Sequence, residues 1–207
     1  LKDPHKIKSS CHIRMGKVIL NGSVYFEADS ETFEDFLKVF YKQENLKYPK
    51  FFKMDTLSKL AFLGSEMLLK NNARAPEANQ HSALLFSNRS SSLETDRKHQ
   101  KSIAEGAKRF PSPALFVYTL PNIGMGEVAI RHKMQTENAF FVFPEFNAVF
   151  LHEYSTAILK NKKCKEVLCS WVEVDKDKRH GFFYLVAGDG DMLHSTNIIN
   201  ELYTQRT

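Results

Sequence analysis

Apolar positions recur along this chain with two periods, and the alternation between them predicts its elements. Residues 16–27 alternate and turn at Asn21-Gly22, the pattern of a short hairpin or bent strand. Phe33, Phe36, Leu37, Phe40 and Tyr41 recur three and four apart, which predicts a helix over 31–43 capped by Ser30. Pro49 interrupts. Asp55 then caps a second helix over 56–71, with Leu57, Leu60, Ala61, Met67 and Leu68 as its buried stripe and Asn71-Asn72 and Pro76 as its stop. Residues Ser82 to Ser87 enclose the apolar run Ala83-Leu84-Leu85-Phe86, a buried strand.

The run Asn88 to Ser92 reads as a loop. Ser92, Thr95 and Asp96 open a short polar helix reaching about Glu105. Leu115 to Tyr118 reads as extended. Pro121 suits the first turn of a helix running to about Lys133, since that position needs no backbone donor. Ala139 to Phe143 holds no polar residue, which predicts a strand covered on both faces. Phe146, Val149, Phe150, Tyr154, Ala157 and Ile158 return to helical spacing. Two strands, 166–174 and 182–186, flank the charged turn Asp175 to Arg179, and a terminal helix covers 195–204. This order predicts an α/β chain with a mixed sheet.

Composition fits one packed domain. Apolar residues make up 43% of 207, with 17 Phe, enough for a core and for an interface besides. The net charge of +5 and pI near 9.0 fit either an ordinary solvated surface or attraction to an acidic partner. The basic residues are scattered rather than blocked together with aromatics, which argues against nucleic acid. Cys11, Cys164 and Cys169 form no Cys-x-x-Cys pair, so neither a disulfide framework nor a metal site is expected and a reducing cytoplasm is. Residues 1–14 lack the apolar run of a signal peptide, and no stretch approaches the ~20 apolar residues of a membrane span.

Three segments point to a family. They are Ser112-Pro113-Ala114-Leu115-Phe116-Val117-Tyr118-Thr119-Leu120-Pro121-Asn122-Ile123-Gly124, then Glu127-Val128-Ala129-Ile130-Arg131, then Glu137-Asn138-Ala139-Phe140-Phe141-Val142-Phe143-Pro144-Glu145-Phe146. Together they resemble the N-terminal half of β-ketoacyl synthases, which have the thiolase fold. Ser90 to Asp96 resembles a further family segment. The match is densest over 82–190 and looser back to Phe52-Lys53-Met54-Asp55. The resemblance implies one half of a thiolase fold: a mixed sheet of five strands or so with helices on both faces. Residues 1–51 would be an N-terminal extension with the first strand and helix, and 52–207 the remainder of a single domain.

In that family the strand matching 139–143 leads into the catalytic cysteine at a helix N-terminus, where the thiol is acidified and backbone N–H groups hold the oxyanion. Here the position is Glu145, followed by Phe146 and Asn147 where small residues are usual. The chain ends near the point where the family's second half, with its two histidines, begins. His180 and His194 lie in neither histidine motif. No catalytic residue and no cofactor are therefore expected.

The resemblance implies a non-catalytic partner of a full-length ketosynthase, like the chain-length factors of type II fatty acid or polyketide systems, with aryl polyene pigment pathways as a setting. The ketosynthase and an acyl carrier protein are the expected partners. Phe140, Phe141, Phe143 and Phe146, with Leu120, Pro121 and Asn122, are the interface and acyl-tunnel candidates. Two other readings stay open: a homodimeric scaffold binding carrier protein or an acyl ligand, and a decarboxylase-like enzyme using Glu145.

Each remaining candidate has a plainer use. Glu145 can sit at a helix N-terminus, favoured by the dipole. Cys169 reads as buried and Cys164 as exposed in a turn after Lys162-Lys163. His132 reads as solvated, and His152 and Glu153 point apart. Gly188 and Gly190 mark a turn. Asn88-Arg89-Ser90 spells a glycosylation acceptor that a cytoplasmic chain would not use.

Overall fold

The computed structural model describes residues 5–71, 81–104, 112–162 and 164–205. The expected stop at Asn72 and Pro76, the helix end at Glu105 and the residue Lys163 lie outside the described residues. In chain order the elements are β1 (Lys6–Arg14), β2 (Lys17–Leu20), β3 (Ser23–Glu27), α1 (Phe33–Gln43), a 3-10 turn (Pro49–Lys53), α2 (Thr56–Asn71), β4 (Ser82–Asn88), α3 (Leu93–Ala104), α4 (Pro113–Val117), α5 (Ile123–His132), β5 (Asn138–Val142), α6 (Ala148–Lys160), β6 (Glu166–Asp175), β7 (Lys178–Ala187), β8 (Met192–Leu193) and α7 (Thr196–Thr204).

One mixed sheet organises the molecule. Its order is β3-β2-β1-β7-β6-β4-β5, with β8 beside β1. β4 runs parallel to both β5 and β6, and the other pairs are antiparallel. The pleat divides the apolar residues between two cores. Leu84 and Phe86 of β4 and Phe183 and Leu185 of β7 face a cluster shared with α1, α2 and α5. Ala83, Leu85, Phe182, Tyr184 and Val186 face a second cluster shared with α6 and α7. Helices thus cover both faces, as the family resemblance implies. The sheet has eight strands because the N-terminal segment adds to it.

Strand β1 escapes the periodicity for a definable reason. A bulge shifts its register against β7 between Ile7 and Ser9. Ile7 accordingly lies in the second cluster and Cys11 and Ile13 in the first, so the alternation breaks mid-strand. Two local expectations are also corrected. Thr32 rather than Ser30 caps α1, its Oγ1 accepting from the Asp35 amide at 3.1 Å. Residues 113–117 are a helical turn, not extended, because Ser112 caps it (Leu115 N to Oγ, 3.3 Å) and Pro113 occupies its first position.

Helix α2 carries the architecture. Asp55 caps it as predicted, accepting from the Ser58 amide at 2.8 Å. Instead of one apolar stripe, every residue from Thr56 to Leu69 is buried, the signature of a helix enclosed on all sides. Its charged groups are therefore paired: Lys59 with Glu34 at 2.6 Å, Glu66 with the His132 ring at 2.5 Å. Two glycines permit the close packing. A Cβ on Gly64 would enter the Phe183 ring of β7, and one on Gly124 of α5 would lie 2.8 Å from Ser58 Cα.

Gly64→Ala is expected to destabilise the protein by about 1–3 kcal/mol through overpacking, outweighing the roughly 1 kcal/mol that alanine gains in helix propensity. Urea denaturation measures this; an unchanged or higher midpoint would mean that the Phe183 ring has room to turn away.

Candidate functional site

The first part of the candidate site is the β5 edge of the sheet. β5 pairs with β4 (Leu85 with Ala139, Phe86 with Phe140, Ser87 with Phe141), and no strand among the described residues lies on its other side. Its side chains alternate. Phe140 packs on the first core. Phe141 meets Phe150 at 4.7 Å and Tyr154 at 5.3 Å, and Phe143 meets Phe150 at 4.8 Å. The Tyr154 hydroxyl donates to Glu137 at 2.6 Å and fixes α6 against the start of the strand. The expectation that both faces are covered needs correcting: Ala139, Phe140 and Phe141 are only half-buried, and Val142 and Val149 are 54% and 51% exposed. An edge strand has one flank of neighbours, so its apolar side chains are shielded from one side only. Unpaired backbone beside exposed Phe and Val invites another strand.

The second part is the loop after β5. Phe143 N donates to Asn88 O at 2.9 Å, the last bond to β4. Pro144 then has no donor and the chain turns. Glu145 is exposed and makes no hydrogen bond or ion pair to the described residues. The cap of α6 is Asn147, which accepts from the Phe150 amide at 2.9 Å. Glu145 therefore stands two residues ahead of the cap, outside the turn where the dipole acts, which corrects its reading as the helix-terminal carboxylate. An exposed carboxylate without a basic partner lacks both the nucleophilicity and the activation that thioester attack needs.

Phe146 turns inward. Its ring stacks on Tyr203 at 3.9 Å and meets Phe182 and Trp171 edge-on at 5.7 and 5.9 Å. It is thus an internal packing residue joining the loop to β6, β7 and α7. Leu120, Pro121 and Asn122 form the turn between α4 and α5, with Leu120 half-exposed near the equally exposed Phe116 and Val117. The sequence candidates consequently separate into a strand edge, an interior ring stack and a surface turn.

The remaining candidates fall out of the chemistry. Cys164 is buried rather than exposed, and all three cysteines are free. Burial raises the Cys164 thiol to about 11 and Cys169 to about 12, and pushes Cys11 higher still. His132 is paired with Glu66 rather than solvated. His152 lies 4.7 Å from the His194 ring, a pairing distant in sequence and so invisible to local spacing. Asn88 is buried, its Nδ2 donating to Ser91 O at 2.8 Å, and is closed to modification. No three metal-ligating side chains converge among the described residues, and no described helix is long and apolar enough to cross a membrane.

No family profile matches the chain, and no curated protein matches it. Solved structures do. The ishigamide ketosynthase/chain length factor superposes with a TM-score of 0.63 at 13% identity over 88% of this chain. A ketosynthase (ApeO) in complex with its chain length factor (ApeC) from Xenorhabdus doucetiae gives 0.60 at 14% over 90%. A type II acyl carrier protein in complex with its ketosynthase (AntDE:AntF) gives 0.58 at 12% over 88%. This chain spans 62% of the first matched chain, 79% of the second and 62% of the third. The chain therefore has the thiolase-type fold of ketosynthases and chain length factors.

Phe146→Ala should cost about 3 kcal/mol by emptying the ring stack, whereas Glu145→Gln should move stability by less than about 0.5 kcal/mol; urea titrations followed by Trp171 fluorescence test both. A fall on Glu145→Gln comparable to that of Phe146→Ala would show the carboxylate to be structural. The thiols should resist iodoacetamide at pH 8 in the native protein and all react in urea. Because the unfolded thiols ionise near 8.5 and the folded ones do not, the unfolded state binds fewer protons above that pH. Stability should then fall as pH rises through about 9 towards 11. Rapid native labelling would contradict the burial.

Proposed function

We propose that this chain is a non-catalytic partner subunit of a ketosynthase, acting as a chain-length factor does in type II fatty acid or polyketide biosynthesis, with aryl polyene pigments as a setting. The observation that carries this reading is the junction after β5. At the position that the resemblance equates with the ketosynthase cysteine stands an exposed Glu145 with no hydrogen bond or ion pair to the described residues, after an apolar strand with no further strand on its outer edge among them. The ketosynthase and chain-length-factor fold supports it.

In this reading the partner supplies the thiolate and does the condensation. β5 aligns antiparallel with the partner's equivalent strand and extends one sheet across both subunits. Val142, Val149, Phe141 and Phe143 then leave water. At about 25 cal/mol per Å2 of apolar area, such a contact holds only as part of an interface of roughly 800 Å2 per subunit. The flanking Phe140 and the Leu120-Pro121-Asn122 turn wall the acyl channel and so bound product length. An acidic carrier protein suits the net positive charge and delivers the acyl chains to the pair.

A second reading has an observation of its own. The open β5 edge is self-complementary under a two-fold axis, so a homodimeric scaffold binding carrier protein or an acyl ligand uses the same edge. A decarboxylase built on Glu145 is the weaker alternative, because the carboxylate makes no hydrogen bond or ion pair to the described residues.

Coexpression with a ketosynthase encoded beside this chain, followed by mass determination, separates these readings. A stoichiometric heteromer is expected, with Val142→Lys reducing its recovery at least tenfold while leaving the circular dichroism of the free chain unchanged. A stable homodimer that ignores the ketosynthase would overturn the partner role and favour the scaffold.

A further inference from the structure

A cleft of about 410 Å3 opens where β1 ends, the β6–β7 turn begins and α7 finishes, a place that no part of the proposed function uses. Its walls include His12, Arg14, Asp177, Lys178, His180 and Tyr203. Three cations stand against one carboxylate. Arg179 is already committed, its Nη2 to Glu94 at 2.6 Å and its Nε to Lys176 O at 2.6 Å. Arg14 spends one N–H on Gln205 O at 3.1 Å, which leaves most of the fork's five donors. Lys178 makes no hydrogen bond or ion pair to the described residues. Asp177 is likewise exposed and stands at the turn itself.

The histidines add polarity without charge. Burial lowers His12 to about 4, and burial with Arg14 and Lys178 nearby also lowers His180. His12 Nε2 lies 2.8 Å from Leu202 O, so it carries the ring proton. His180 Nε2 lies 3.4 Å from the Tyr203 hydroxyl. Behind them is Glu173, 2% exposed and the cross-strand partner of His180. One of its oxygens accepts from the Arg89 amide at 2.8 Å; the other is buried with no partner. That oxygen calls for a donor; what an anion meets in the cleft is the unspent donors of Arg14 and Lys178. The floor is aromatic, because Tyr203 lies on Phe146.

We propose that this cleft binds a small organic oxyanion, its acidic end between Arg14 and Lys178 and its apolar body on the Tyr203 ring, which Phe146 backs. The size suits a small molecule, and guanidinium and ammonium together suit a carboxylate or a phosphate monoester. Phe146 follows Glu145, so occupancy of the cleft stiffens the loop that carries the replaced nucleophile position.

The test is a titration of the purified chain with benzoate, phenyl phosphate, inorganic phosphate and benzamide, read by calorimetry and by Trp171, the one tryptophan, which touches Phe146. Saturable binding of benzoate or phenyl phosphate is expected with Kd on the order of 0.1–1 mM, and the stronger of the two identifies carboxylate or phosphate as the ligand class. Weaker binding of inorganic phosphate is expected because it lacks the ring. Lys178→Gln touches nothing else and should weaken binding about tenfold; Arg14→Gln should weaken it further. Lys42→Gln, exposed at the end of α1 on the opposite face of the sheet, should not. Absence of saturation by every anion, unaltered affinity in Lys178→Gln, or benzamide binding as tightly as benzoate would each overturn the proposal.

Discussion

The constraint on which the rest of the structure depends is the complete enclosure of α2. A helix buried at every position from Thr56 to Leu69 needs cover on every side, and the sheet, α1 and α5 supply it. That requirement explains distant features together. Gly64 and Gly124 bring neighbours into contact with the helix backbone. Glu34, Arg131 and His132 sit where they do because Lys59 and Glu66 are buried in α2 and an unpaired buried charge costs several kcal/mol.

The sheet built over this helix has a well-protected middle and an unprotected end. β6 and β7 are flanked by strands on both sides and buried almost throughout, whereas β5 has one neighbour and a rim of exposed Val and half-buried Phe. A monomer gains nothing from so apolar an edge. The same edge is what the proposed partner subunit would pair with, and the exposed Glu145 stands at its end.

Phe146 links these two facts. The bulky residue after Glu145 closes a ring stack with Tyr203, Phe182 and Trp171. That packing anchors the loop and backs the Tyr203 ring of the neighbouring cleft.

Much was legible in the chain itself. The α/β order, the cap at Asp55, the terminal helix, the strand at 139–143 and the absence of a thiol at position 145 follow from local periodicity and residue chemistry. What sequence could not supply depends on partners far along the chain. A bulge hid β1 because it swaps faces mid-strand. The run 139–143 looks the same in the centre of a sheet as at its edge, since composition reports affinity for apolar surroundings and not how many neighbours arrive. Cys164 and His132 look exposed among charged residues until β4 and α2 are folded against them. Burial, edge position and the convergence of Arg14, Lys178, His180 and Tyr203 were decided only by tertiary structure, because each is a property of which surfaces meet.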